Sequence, residues 1–388
     1  MDIFGTVEPG YEPVRDAFVS NFTDYDEIGA AFSLYVRGQK VVDLWAGVAD
    51  RRAGKPWEQN TMALVFSTTK GMTAILVHLL AQRGLIDLDA PVAKYWPEFA
   101  TAGKAEVPVR WLLSHRAGLP TFDQQITAAE GLQWSTPVAA LARQQPLWEP
   151  GTTHGYHAIT YGWLVGEVVR RATGRTVGQL LAEEIARPLE LDCWIGLPPS
   201  EEHRVARLSA APVEAAFDQT GLTEEERRRL EQMLDPQSLL NRTLNPTQPP
   251  FNFNSPEMHA AEMPAANGIT TARSLAALYA ASVSEVQGVR LLDPATVAAA
   301  TQEQSFGPDQ VLQVTTRFGS GFFLSSEYSP LLGPGSFGHG GAGGSLGMAD
   351  PARQIGFGYV MNQMRADLSG DPRPARLADA VDRVVPRD

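Results

Sequence analysis

Phe66-Ser67-Thr68-Thr69-Lys70 is the stretch on which the reading of this chain turns. A serine and a lysine three residues apart at a helix start lie on one face, one turn apart. Free serine is a poor nucleophile and needs a base within hydrogen-bond reach. A lysine serves as that base when burial or cationic neighbours lower its pKa towards neutrality. Alone, Ser-x-x-Lys is a weak signal, because a serine that caps a helix near a surface lysine gives the same spacing. Its surroundings sharpen it. An apolar stretch precedes Ser67, and Met72, Ile75, Leu76, Leu79 and Leu80 recur at three- and four-residue spacing. That spacing predicts a helix over about 67–83, closed by Gly84, with the Ser–Lys pair turned into a packed cleft.

Outward from this helix, Ile28 to Gly47 reads as a β-hairpin turning at Arg37-Gly38-Gln39, where glycine supplies the awkward dihedral. From about Leu85 to Ala280 helical patterns joined by Pro/Gly loops take over. Thr160–Ala172 and Val177–Ile185 are the clearest of them, and Thr223-Glu224-Glu225-Glu226 is an acidic helix start. Leu244 to Pro264, with Pro246, Pro249, Pro250 and Pro256, reads as a long irregular connection. Strand patterns return at Gly321–Leu324 and at Ile355–Met361, where glycine alternates with large apolar residues, and an amphipathic helix closes the chain from about Pro374 to Val385. Strands at both ends and helices between them predict an α/β (α+β) architecture. Residues 1–85 and 281–388 form an antiparallel sheet flanked by helices, and 86–280 form an inserted, essentially all-helical domain.

With 388 residues, 44% of them hydrophobic and 20% charged, the chain has the composition of a soluble globular protein with a large core. A net charge of -12, from 32 basic and 44 acidic residues, disfavours an electrostatic grip on nucleic acid or anionic membrane. The single cysteine, Cys193, excludes an intrachain disulfide and reads as a buried, inert thiol. Met1-Asp2-Ile3-Phe4-Gly5 lacks the basic start and apolar run of a signal peptide, and no segment has the apolar length of a membrane span, so a cytoplasmic protein is expected.

Further motifs follow in order: Leu112 to Pro120, Trp148-Glu149-Pro150-Gly151 before His154-Gly155-Tyr156-His157-Ala158, His259 to Glu262, Pro264-Ala265-Ala266-Asn267-Gly268, and Phe337-Gly338-His339-Gly340-Gly341-Ala342-Gly343-Gly344-Ser345. Ser67-Thr68-Thr69-Lys70, the tyrosine after Trp-Glu-Pro-Gly, and the late His339-Gly340-Gly341 together resemble the three signature elements of serine β-lactamases and penicillin-binding proteins. More closely, the set resembles the β-lactamase-like carboxylesterases called family VIII, over about Ile28 to Met364. The resemblance implies that fold and no metal or organic cofactor. It implies a Ser67 that becomes acylated, Lys70 taking or sharing its proton, and Tyr156 assisting activation of the serine and later of water. It also implies an oxyanion hole from the backbone N–H groups of Ser67 and Ala342, with His339, Gly340 and Gly341 along the substrate. Whether Lys70 or Tyr156 is the working base stays open.

Two departures bear on substrate. Ala158 stands third in the Tyr-x-Asn element, removing the amide that orients an acylamide substituent. His339, only partly charged near neutral pH, stands where the Lys-Thr-Gly element has lysine. Both suit a neutral ester: the expectation is a carboxylesterase acting on short acyl esters, with residual β-lactam hydrolysis. The alternatives are a β-lactamase or D-peptidase-type amide hydrolase and a transacylase of the same fold. A silent binding protein fits poorly with Ser67, Lys70 and Tyr156 all present.

A second serine competes. Gly343-Gly344-Ser345-Leu346-Gly347 has the form of the α/β-hydrolase nucleophile elbow, but that fold needs a histidine later in the chain, and all seven histidines precede Ser345. Hydrogen-bonded structural roles are expected for His154 and His157 rather than metal ligation. His115 is expected to brace a loop, and His157 to lie where it tunes Tyr156. Phe66, Phe122, Trp148 and Phe337 are candidate pocket walls, with core packing as their commoner fate.

Overall fold

The computed structural model describes residues 2–210, 223–365 and 370–387; residues 211–222 of the expected insertion lie outside the described residues. Apolar side chains alternate along β2 (Gly29–Val36): Ala30, Phe32 and Leu34 enter one core cluster, Ala31 and Tyr35 another. A strand that is apolar on both faces needs a layer on each side. The helices Glu12–Asp24 and Pro372–Val384 cover one face, and Ala272–Val283 with Thr68–Gln82 the other.

Two-residue hairpin geometry joins β2 to β3 (Gln39–Asp50). Arg37 and Gly38 both adopt positive φ, 49° and 77°, the backbone that matches the right-handed strand twist. The remaining sheet strands are β1 (Ile3–Val7), β4 (Lys55–Pro56), β8 (Ser305–Pro308), β9 (Thr315–Phe318), β10 (Phe323–Leu324), β11 (Phe337–Gly340), β12 (Leu346–Asp350) and β13 (Ile355–Met361). The path through this ten-stranded sheet is β1-β3-β2-β13-β12-β11-β10-β9-β8, with β4 on β3. Every neighbouring pair is antiparallel, and the early and late parts of the chain meet at β2–β13, where Phe32 faces Tyr359.

The glycine alternation in β13 has a steric cause. A Cβ on Gly356 would lie 2.3 Å from the Ala276 carbonyl oxygen, and one on Gly358 2.4 Å from that of Ala272. The small-residue helix Ala272–Val283 rests directly on the bare strand backbone. That helix straddles the expected domain boundary at 280.

Between the sheet strands the chain is mainly helical, including Ser135–Arg143, Thr160–Thr173 and Glu224–Leu234, the last begun by a Thr223/Glu226 capping box. It also carries β6 (Cys193–Trp194), which pairs with β7 (Ile269–Thr270), itself paired with β5 (Ala63–Leu64). This small sheet clamps the approach to Ser67 against the stretch after Asn267. The Pro-rich connection contains a short helix, Pro256–Ala260, which Ser255 caps and Pro256 opens. Among the described residues no helix is long and apolar enough to cross a membrane.

Candidate active site

Ser67 precedes the helix Thr68–Gln82 with helix-like backbone angles, and its side chain makes no capping hydrogen bond. The role an isolated serine would take here is therefore not used. Phe66 before it sits at φ 43°, a left-handed conformation strained for an aromatic residue. The neighbouring hydroxyls hold this turn. Thr69 Oγ1 donates to the Phe66 carbonyl at 2.5 Å and accepts from Gly268 N–H at 2.8 Å. Ser345 Oγ donates to the Val65 carbonyl at 2.8 Å and lies 3.0 Å from Thr68 Oγ1. Ser345 is thus buried and engaged as a brace.

Lys70 is fully buried. Its Nζ lies 3.1 Å from Ser67 Oγ and donates to the carbonyls of Ala158 at 2.7 Å and Ala265 at 3.0 Å. No carboxylate pairs with it among the described residues, and burial holds its pKa well below the ordinary lysine value. A neutral amine has two N–H bonds and one lone pair. In that form, with both N–H bonds spent on the carbonyls, the lone pair is left for the Ser67 hydroxyl; in the ammonium form the third N–H donates to Ser67 Oγ.

Both carbonyls are positioned from outside the helix. Ala158 lies just before Thr160–Thr173, whose Gly162 has no room for a side chain: a Cβ there would come within 2.9 Å of Ala265 N. The loop of Ala265 is folded around buried Asn267, whose amide donates to Met258 O (2.8 Å) and Ala261 O (2.6 Å) and accepts from Met263 N–H (2.9 Å).

Tyr156 is buried, with its ring 4.8 Å from Lys70 Nζ. Burial drives its phenol pKa far up, while a hydrogen bond with the Ser67 side chain works the other way. The phenol therefore keeps its proton near neutral pH. Its backbone is set by Asp309: one carboxylate oxygen, Oδ1, accepts from the N–H groups of Tyr156 (3.0 Å), Val311 (2.9 Å) and Leu312 (2.8 Å).

The histidines are largely spent. His157 donates from Nδ1 to Gly155 O at 2.7 Å and accepts at Nε2 from Leu119 N–H at 2.9 Å. Burial pushes its pKa down to about 3. His154 Nε2 lies 2.8 Å from Thr316 Oγ1. His115 Nδ1 accepts from His157 N–H at 3.1 Å, and its ring centroid lies 4.7 Å from that of Tyr156. So His115, rather than His157, is the imidazole against the phenol. No group of acids, histidines or thiols among the described residues could hold a metal ion.

His339 on β11 is buried within 6.1 Å of the Tyr156 ring. Nδ1 donates to Gly340 O at 2.7 Å, leaving Nε2 as a buried lone pair with no partner among the described residues. Burial first, then the Lys70 charge, pushes its pKa down to about 3. The ring is neutral at pH 7, a correction to the partial charge expected from an ordinary imidazole. After Gly340 the chain turns close to Ser67. A Cβ on Gly341 would lie 2.1 Å from Val65 O, so only glycine admits this approach. The backbone N–H groups of Ser67 and Ala342 donate to no protein oxygen among the described residues.

Phe318 and Phe323 pack beside Tyr156, with centroids 6.2 and 6.3 Å away; neither stood out in the sequence. Phe122 and Phe337 are core residues, and Phe66 packs on Phe253 at 4.9 Å. Cys193 is buried, its thiol pushed up to about 12 by burial, as an inert thiol requires.

The chain resembles known proteins in sequence and fold. The family model described as Beta-lactamase matches residues 15–382. The chain is 36% identical over 371 residues to the "Esterase/beta-lactamase LipL" of Mycobacterium tuberculosis, covering 94% of this chain and 84% of that one. A solved family VIII carboxylesterase superposes with TM-score 0.87 at 40% identity, covering 99% of this chain and all of the other. EstA from Arthrobacter nitroguajacolicus Rue61a superposes with TM-score 0.86 at 34% identity, covering 99% of each chain.

Proposed function

This chain belongs to the beta-lactamase family and is a hydrolase of the esterase/β-lactamase kind, and within that family we propose that it is a carboxylesterase for short-chain, uncharged acyl esters, working through a Ser67 acyl-enzyme. One observation carries the reading: Lys70 Nζ is fully buried without a counter-charge, tied to two carbonyls and 3.1 Å from Ser67 Oγ. Burial holds the pKa of such an amine well below the ordinary lysine value, which suits it to accept the serine proton.

The proposed steps are these. Ser67 Oγ attacks the ester carbonyl carbon as its proton passes to Lys70. The N–H groups of Ser67 and Ala342 stabilise the oxyanion, each typically worth roughly 3 kcal/mol in the transition state. The proton then moves, through Lys70 and the protonated Tyr156 phenol, to the departing alkoxide. Water enters by the reverse route and releases the acid. Tyr156, which keeps its proton, is a proton carrier and donor, and Lys70 is the base.

The ester preference rests on the side chains that surround Ser67, Lys70 and Tyr156. Neutral His339 and methyl-bearing Ala158 offer neither a cation for a carboxylate nor an amide for an acylamide, and the partly exposed Phe323, backed by buried Phe318, supplies apolar surface. Penicillins and cephalosporins are then poor substrates. The test compares turnover of a short-chain aryl ester and a chromogenic cephalosporin in wild type, Ser67→Ala and Ser345→Ala. The expected result is fast ester turnover in wild type, slow cephalosporin cleavage, background rates in Ser67→Ala, and much of the activity kept in Ser345→Ala. Faster cephalosporin than ester cleavage would overturn the substrate reading; ester turnover surviving in Ser67→Ala would overturn the nucleophile.

A further inference from the structure

A second cavity, about 1020 Å³, opens in the helical part of the molecule, and none of Ser67, Lys70 or Tyr156 lines it. Its volume is at the upper end of small-molecule sites, which run roughly 300–1,000 Å³. Trp96, Trp134, Leu132, Val138 and Val177 supply apolar walls. The shape is built in: a Cβ on Gly166 would lie 2.5 Å from the Trp134 ring, so glycine lets the indole lie on the helix Thr160–Thr173.

The charges around it are unevenly used. Glu167 accepts from Arg170 at 2.7 Å, from Arg171 at 2.7 Å and from Trp134 Nε1 at 2.7 Å. Glu98 lies 3.3 Å from Arg171. Glu262 accepts from Thr176 Oγ1 at 2.6 Å and Gly178 N–H at 3.0 Å. All three carboxylates have donors. Arg143, at the end of the helix Ser135–Arg143, lines the same cavity and makes no ion pair or side-chain hydrogen bond among the described residues. Thr101 beside it already donates its hydroxyl to Ala142 O at 2.8 Å.

An apolar cavity of this size with one uncommitted cation at its rim fits an amphipathic anion. A guanidinium pairs with a carboxylate in a fork geometry, and desolvated indole and aliphatic walls take an alkyl body. We propose that this cavity is a second binding site, separate from the ester cleft, for a long-chain monocarboxylate whose head group pairs with Arg143 and whose chain lies between Trp96, Trp134 and Val138. The site does not depend on Ser67 being the nucleophile.

Dodecanoate, titrated calorimetrically below its micellar concentration, tests the assignment. Wild type and Ser67→Ala should bind one equivalent with equal affinity. Arg143→Gln should weaken binding about tenfold, near the lower end for loss of a charge-assisted hydrogen bond. Ala139→Trp, which fills the cavity from an exposed helix position, should abolish saturable binding, and dodecyltrimethylammonium should bind far more weakly than dodecanoate. Absence of saturable dodecanoate binding in wild type would overturn the proposal. So would wild-type affinity in Ala139→Trp, which would put the ligand elsewhere. Wild-type affinity in Arg143→Gln, or equal binding of the cationic amphiphile, would overturn the anion assignment.

Discussion

Two cations are completely buried near the turn that follows β11, and their surroundings treat them in opposite ways. Arg373 donates to Glu27 at 2.8 Å, to Asp371 at 2.7 Å, and to the carbonyls of Gln363 and Gly343. Lys70 meets two carbonyls and a serine hydroxyl, and no carboxylate. Burial penalises charge in both places. For Arg373 the neighbouring carboxylates compensate, and its pKa is raised further. For Lys70 nothing compensates, so burial holds its pKa well below the ordinary lysine value. One cation fastens backbone: through Gly343 it holds the turn that carries Ala342. The other is made reactive. Equal burial therefore does not decide whether a cation is structural or chemical; the presence of a counter-charge does.

That contrast can be broken by removing each head group in turn. Arg373→Met takes the cation from buried Glu27, whose pKa burial already pushes up to about 7, and from partly buried Asp371, and should cost about 3–5 kcal/mol of stability, read from the urea unfolding midpoint. Lys70→Met strands no charge. It leaves two carbonyls without their donor, a cost of roughly 1–3 kcal/mol, partly offset because an amine is no longer buried. Its unfolding should shift by less than that of Arg373→Met, while kcat/KM falls by roughly 10²–10⁴. Equal destabilisation by the two variants would mean that Lys70 is a compensated structural cation after all.

The pH profile sharpens the same point. Lys70 must be unprotonated to act, so ester turnover should be lost as pH falls through its lowered apparent pKa and should be flat above it. That apparent value belongs to the coupled Ser67, Lys70 and Tyr156 set. Linkage has a matching sign. Between the lowered folded pKa and the ordinary lysine value the unfolded chain binds one more proton, so this group's contribution to stability rises with pH across that interval. Lys70→Arg, charged throughout, should be inactive at every pH.

The Ser-x-x-Lys helix and β13 could be read from the sequence because their periodicity is strong and local, and even the glycines of β13 had a detectable rhythm. β1, the helix Glu12–Asp24, the edge strand β8 and its neighbour β9 carry partly exposed patterns that give no such rhythm. Within the site, side chains with chemistry of their own were visible: Ser67, Lys70, Tyr156 and His339. What lowers the Lys70 pKa is not, because burial is a property of the fold, and Ala158 and Ala265, which hold the amine, act through backbone carbonyls, which any residue type supplies. Asp309 was hidden for another reason. Its partner Tyr156 lies 153 residues away, a distance over which spacing holds no information. The charge of His339 is not legible in sequence, because an imidazole's pKa depends on burial that only the fold reveals.

Asp309 offers a smaller effect on the activity side of the comparison. It touches no reacting atom, and its oxygen fixes the Tyr156 backbone together with Val311 and Leu312. Asp309→Asn keeps an acceptor oxygen and should stay within a few-fold of wild type. Asp309→Ala removes it and should lower kcat by roughly ten- to a hundredfold, the scale of a misplaced catalytic group, with little change in KM. In a Tyr156→Phe background the same substitution should cost much less. A full additive loss there would mean that Asp309 supports the fold generally and not Tyr156.

The smallest effect is expected at His339, and it is the most discriminating. This imidazole lies beside Tyr156 and feels the Lys70 charge, so a titration seen near neutral pH could belong to either His339 or Lys70. With its pKa pushed down to about 3 by burial, His339 is already neutral at pH 5 and does not change protonation state between pH 5 and 9. His339→Gln should therefore alter kcat/KM by a few-fold through shape alone and leave the acid limb of the profile where it was. A limb that moves by a full pH unit or disappears in His339→Gln would assign that titration to the histidine. Lys70 would then stand closer to Arg373 than the absence of a carboxylate partner implies.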